Sequence, residues 1–135
     1  MRNAPPVVAI FNTSPDTVEL LRVVLQQAGL VVVTAFTFHI RDGVVDLEAF
    51  MRQHAPNAVL YDVAPPYEAN WALFQHLKGH TALAGCHFVI TSPNAAYVQK
   101  LADRTERVYE VIGKPYDLDE IVRATKEALR ARPAR

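Results

Sequence analysis

Three polar residues of this chain each stand at the end of an apolar run: Asp62 after Ala58 to Tyr61, Thr91 after Phe88 to Ile90, and Lys114 shortly after Val108 to Ile112. Taken singly each reads as ordinary, since Asp and Lys usually lie outside cores and a threonine can simply end a strand. Delivered together to one rim by different strand ends, a carboxylate, a hydroxyl and an ammonium form a set able to handle a charged reacting group. A further run, Val7 to Phe11, ends in Asn12 and Thr13, a neutral amide and a hydroxyl. Whether these residues meet depends on the elements that carry them.

Val7 to Phe11 predicts a buried strand. The helix after it is marked by Ser14 or Thr13 as cap, Pro15 in the first turn and Gly29 as stop, with Val18, Leu21, Leu25 and Ala28 on one face. Leu30 to Thr34 is β-branched and predicts a second strand. Phe36 to Val45 has no clean period and reads as a long connection before a helix from about Asp46 to His54. Ala58 to Tyr61 is a third strand, followed by a helical stripe of Trp71, Phe74 and Leu77 closed at Gly79. Phe88 to Thr91 is a fourth strand, Asn94 caps a short helix through Leu101, and Val108 to Ile112 is a fifth strand. Asp117 with Glu120 forms a capping box for a last helix that turns Leu118, Ile121, Val122, Thr125, Ala128 and Leu129 inward. Five strands alternating with five helices predict an α/β domain with a parallel sheet covered on both faces. Ligands on such sheets sit beyond the carboxyl ends of the strands, where Asn12, Thr13, Asp62, Thr91, Ser92 and Lys114 all fall.

At 135 residues, with 50% hydrophobic and 21% charged residues, the composition is that of one globular domain. It divides into an extension over 1–6, a domain over 7–131 and a tail over 132–135. Fourteen basic and fourteen acidic side chains cancel, so the whole molecule lacks the positive excess expected of a nucleic-acid binder. Cys86 is the single cysteine, beside an apolar run, and reads as a buried thiol in a reducing cytoplasm. No apolar stretch reaches the roughly 18 residues of a membrane span, and "MRNAPP" lacks the apolar segment of a signal peptide. The five histidines, His39, His54, His76, His80 and His87, show no repeated metal-ligand spacing.

The chain resembles the receiver domain of two-component response regulators. "PNAVLYDVAPP" is similar to the family's third strand, with its phosphoacceptor at Asp62 and loop proline at Pro66; "FVITS" is similar to the fourth strand and its terminal hydroxyl, Thr91. "VIGKPYDLDEI" resembles the Lys-Pro turn, placing the family lysine at Lys114 and its usually cis proline at Pro115. The resemblance implies a doubly wound, CheY-like, flavodoxin-like sheet of order 2-1-3-4-5. It also implies a carboxylate at Asp62 that attacks an activated phosphoryl group while Thr91 and Lys114 stabilise the added oxygens. The donor in the family is a phosphohistidine on a histidine kinase or phosphotransfer protein, or a small acyl phosphate.

Several positions depart from the family. Receivers normally end the first strand in two carboxylates that hold a divalent cation, together with the phosphoacceptor and a backbone carbonyl, here that of Ala64. Asn12 and Thr13 occupy the acid-pair positions, so magnesium is expected to be held weakly and no other cofactor is implied. Asp62 is instead expected to pair with Lys114. The switch aromatic is replaced by Val111, and the loop Pro65-Pro66-Tyr67-Glu68-Ala69-Asn70 lacks the usual glycine. Tyr97, Arg123 and Lys126 are the candidate contacts for a partner on the face of the fourth helix, fifth strand and last helix, a solvated basic face being the plainer reading. The expected function is a stand-alone receiver phosphorylated at Asp62, acting on a separate output protein or as a homodimer, without direct contact to nucleic acid or membrane. The alternative is a pseudo-receiver that acts by protein binding alone. A phosphate-binding loop at "NTSPDT" is disfavoured, since it has no glycine to wrap a phosphate and Asp16 adds a like charge.

Overall fold

The computed structural model describes residues 5–103, 108–113 and 117–130. Five strands, β1 (Val7–Asn12), β2 (Val31–Phe36), β3 (Ala58–Asp62), β4 (His87–Ser92) and β5 (Val108–Gly113), form one sheet of order β2-β1-β3-β4-β5 with every pair parallel. The helices are α1 (Pro15–Gln27), α2 (Thr37–Arg41), α3 (Leu47–His54), α4 (Tyr67–Lys78), α5 (Ala95–Ala102) and α6 (Leu118–Arg130), with a 3-10 turn at Thr81–Leu83. Parallel neighbours require crossovers, and the crossovers bury both faces, which is why the central strands are apolar at nearly every position.

Alternate residues along each strand feed two separate cores. Val8, Ile10, Leu60 and Val89 pack with Leu21 and Leu25 of α1 and with Ile121 and Ala124 of α6. Ala9, Phe11, Val59, Tyr61, Phe88 and Ile90 pack on the other face with residues of α2 to α5, among them Ile40, Met51, Trp71, Phe74 and Val98. Phe74 has its ring centroid 5.0 Å from Tyr61, 5.0 Å from Trp71 and 5.1 Å from Phe88, so the Trp71, Phe74, Leu77 stripe is core, as its spacing predicts.

The helix ends follow their local chemistry. Ser14, rather than Thr13, caps α1, its Oγ accepting from Thr17 N at 3.3 Å, and Gly29 leaves the helix at φ +91°. Asn94 Oδ1 accepts from Tyr97 N to open α5, and Asp117 Oδ1 accepts from Asp119 N and Glu120 N to open α6. One expectation is corrected: the stretch after β2 contains the short helix α2, with Thr37 and Ile40 buried on one side, so the described chain has six helices and not five. Its five residues span too few turns for a period to show in the sequence.

The two rims of the sheet differ. The β2 rim, Val-Val-Val-Thr-Ala-Phe, carries no charge and no bulge, with Val31 and Thr34 exposed. The β5 rim has a register irregularity against Phe88/Val89 and carries Glu110, bound to Arg123 at 2.7 Å.

Candidate functional site at the carboxyl edge

Strand register assembles the site. Asp62 lies opposite Thr91, and Thr91 opposite Ile112; Phe11 lies opposite Tyr61, so Asn12 continues level with Asp62, with Phe36 as its partner on the other side. The row Phe36, Asn12, Asp62, Thr91, Ile112 therefore crosses the sheet at its carboxyl edge. It lies on the α1/α6 side, because Ile10, Leu60 and Val89 two residues earlier pack there. Asn12, Asp62 and Thr91 are 1%, 4% and 1% exposed.

Burying a carboxylate is costly unless donors meet it. Thr91 Oγ1 donates to Asp62 Oδ1 at 2.6 Å, a short charge-assisted bond between buried partners. The Asp62 loop is fixed on both sides: Val63 N donates to Thr91 O at 2.8 Å, and Asn70 Nδ2 donates to Ala64 O at 2.6 Å. Ser92 Oγ accepts from Asn94 N at 3.2 Å, tying the end of β4 to the cap of α5. On the far side of the strand, burial, reinforced by the Asp62 charge, keeps the Tyr61 phenol protonated well above its ordinary range.

The acid-pair positions behave as local structure. Asn12 Oδ1 accepts from Thr13 N at 2.7 Å and Ser14 N at 3.0 Å, an Asx-type turn that starts the approach to α1. The Thr13 side chain is exposed. A divalent cation would need oxygens free to face it. Here the Asn12 carbonyl is turned to backbone N–H groups, the Ala64 carbonyl is met by Asn70, and Asp62 is the one carboxylate in the described row. Among the described residues no group of three or more His, Cys, Asp and Glu could hold a metal ion. Among the described residues this edge therefore offers fewer free oxygens than the magnesium site that the receiver resemblance implies.

Other expectations fall as follows. Lys114 and Pro115 lie outside the described residues, and with them the Asp62–Lys114 pair. Among the described residues the cis peptide bond is Pro65-Pro66. Val111 is half-buried against the α2–α5 core. Tyr97 is engaged within the chain: its hydroxyl donates to Glu68 Oε1 at 2.6 Å and its ring lies 5.7 Å from Tyr67, so both tyrosines join the start of α4 to the start of α5. Arg123 is exposed yet bridges Glu110 and Glu127, whose hydrogen bonds hold its guanidinium charged; Lys126 is half-buried. Asn70 and Glu68 carry no spacing that singles them out. Their roles come from the fold of the loop, and the clue available in sequence is that polar side chains early in a helix find backbone or cross-helix partners. Cys86 is buried, its Sγ 3.3 Å from Pro56 O, beside a cavity of about 290 Å³ at the opposite, amino edge of the sheet.

Among the described residues no helix is long and apolar enough to cross a membrane. No protein-family model matches the chain, and no curated protein matches it by sequence. Solved structures do match. A response regulator from Thermotoga maritima aligns at TM-score 0.71 and 18% identity over 95% of this chain and 100% of its own. A putative response regulator from Chloroflexus aurantiacus J-10-fl aligns at TM-score 0.71 and 22% identity over 95% and 100%. The chemotaxis protein CheY4 of Vibrio cholerae aligns at TM-score 0.72 and 13% identity over 93% and 99%. At these identities the likeness is one of fold: a five-stranded parallel sheet of order β2-β1-β3-β4-β5, the CheY-like, flavodoxin-like fold.

Proposed function

We propose that the chain is a receiver in two-component signal transduction, with Asp62 as the phosphoacceptor and a regulatory rather than a catalytic output. The observation that carries this reading is the buried Asp62 carboxylate accepting the Thr91 hydroxyl across adjacent strand ends at 2.6 Å. In the transfer, an Asp62 oxygen forms a bond to phosphorus as the P–N bond of a partner's phosphohistidine breaks, and the electron pair leaves with the imidazole, which takes a proton from solvent. With a small acyl phosphate the bond that breaks is P–O and the leaving group is a carboxylate, which needs no proton. The Thr91 hydroxyl turns from the carboxylate to a phosphoryl oxygen, and Lys114 supplies positive charge, as the sequence motif implies. Because the residues do not suit a divalent cation, the reaction is slow and depends little on magnesium. The charge added at Asp62 acts on the β4–α5 connection through Thr91 and Ser92, and from there on a separate output protein or a second copy. A cytoplasmic setting goes with a kinase or phosphotransfer protein as donor.

Intact-mass measurement after incubation with acetyl phosphate, with and without magnesium, tests the reading. One added phosphoryl group on the wild type, lost in Asp62→Asn, is expected under both conditions. No labelling under either condition would instead identify a pseudo-receiver that works by protein contact alone.

A further inference from the structure

We infer that Asn70 is the resident positive pole at the Ala64 carbonyl, and that with Asn12 it closes the carboxyl edge to divalent cations; the inference rests on the receiver reading of the Asp62 site. Its Nδ2 lies 2.6 Å from Ala64 O, just under the usual N–H···O distance. The side chain is held in place, since Asn70 N donates to Pro66 O at 3.0 Å and the residue is half-buried in the early part of α4. An amide N–H presents partial positive charge to the carbonyl, the same sign a metal ion would present, without bringing a formal charge into a pocket whose described row holds one carboxylate. Asn12 acts in parallel: its oxygen is bound by two backbone N–H groups, which leaves the amide NH₂ as its remaining polar end, a donor that repels a cation. Magnesium asks for about six oxygens in a near-octahedral shell and gives up water reluctantly. Two oxygens that such a shell would draw from this edge already face N–H donors. The Asn12 amide at the end of β1 and the Asn70 amide in α4 are therefore two parts of one arrangement.

The test is Asn70→Asp, which keeps the shape of the side chain and puts a carboxylate oxygen where the amide nitrogen was, against Ala64 O. Without metal the two oxygens repel and the variant melts below the wild type. With magnesium they can share the cation, so its melting temperature rises with concentration while that of the wild type stays fixed. Trp71, the single tryptophan and the residue after Asn70, reports the same binding by fluorescence. Should Asn70→Asp fail to fold, Asn12→Asp with Thr13→Asp, alone and with Asn70→Ala, replaces it: releasing the carbonyl should tighten magnesium about tenfold. Magnesium that stabilises the wild type, or leaves folded Asn70→Asp unmoved, or binds the double and triple variants equally, overturns the inference. These readouts require no phosphoryl transfer, so absence of label on Asp62 would count against the receiver reading and not against the role of Asn70.

Discussion

Replacing Thr91 by Val keeps the shape of a fully buried side chain and removes the hydroxyl that donates to Asp62 Oδ1 at 2.6 Å. Hydrogen bonds to charged groups contribute about 1.5 to 3 kcal/mol net, and Asp62 has an interaction besides this one, so the lower half of that range applies. A loss of about 1.5 to 2 kcal/mol is expected, which raises the unfolding constant roughly 10- to 30-fold. In Asp62→Asn the hydroxyl meets a neutral amide oxygen, for which a bond is worth about 1 kcal/mol. The Thr91→Val penalty should accordingly shrink there, leaving a coupling of about 0.5 to 1 kcal/mol in a double-mutant cycle. The assay is urea unfolding of the four proteins at neutral pH, followed by Trp71 fluorescence and fitted with a common slope. A penalty below about 0.5 kcal/mol, or the same penalty in both backgrounds, would refute the claim that this bond holds the carboxylate.

Thr125 is 1% exposed and its Oγ1 has no hydrogen-bond partner among the described residues, so Thr125→Val should stabilise the protein by about 1 kcal/mol in the same urea assay, and a loss would show that the hydroxyl is satisfied in solution. Gly29 leaves α1 at φ +91° with open space around it, so Gly29→Ala should cost roughly 1 to 2 kcal/mol from backbone conformation alone; a neutral result would mean that this turn relaxes. The Tyr97 hydrogen bond holds the Glu68 carboxyl below its ordinary value of 4.5, and the Tyr97 phenol is raised above 10.0 by its bond to Glu68. A lowered folded value places the contribution of the bond above pH 4.5 and removes it as pH falls through that lowered value; the raised phenol places its loss on the alkaline side above 10.0. The stability difference between wild type and Tyr97→Phe should thus be steady near neutrality and shrink in acid, and a difference that is flat down to about pH 3 would rule the bond out.

The parts of this molecule legible in its sequence are those with repetition. The apolar runs of β1, β3 and β4 and the stripes on α1, α4 and α6 declare themselves because burial on a parallel sheet imposes the same demand at many consecutive positions. Asp62 and Thr91 are legible because each follows such a run, and register then makes them opposite neighbours. The short α2 is not, since five residues cannot display a period, and it is held by the burial of Thr37 and Ile40. The neutrality of Asn12 and Thr13 can be read from residue type; the turn by which Asn12 binds the next two amides cannot be separated from other uses of asparagine. Asn70 shows the limit most clearly. Its partner, Ala64 O, is a backbone atom six residues earlier, and a backbone acceptor leaves no mark on residue identity. The pairing of Arg123 with Glu110 likewise joins α6 to β5 across 13 residues, a span that no local spacing reveals.

The uncharged β2 rim bears on how the protein behaves when concentrated or warmed. Among the described residues its outer row of amides and carbonyls faces no strand, and the guards found at the β5 rim, an irregular register and a bridged charge, are missing there. Accretion of one molecule on another by strand addition is therefore expected first at this side of the sheet. A lysine at the exposed Thr34 would set like charges against each other between stacked copies and raise the onset temperature of light scattering, while leaving the row from Asn12 to Thr91 as it is.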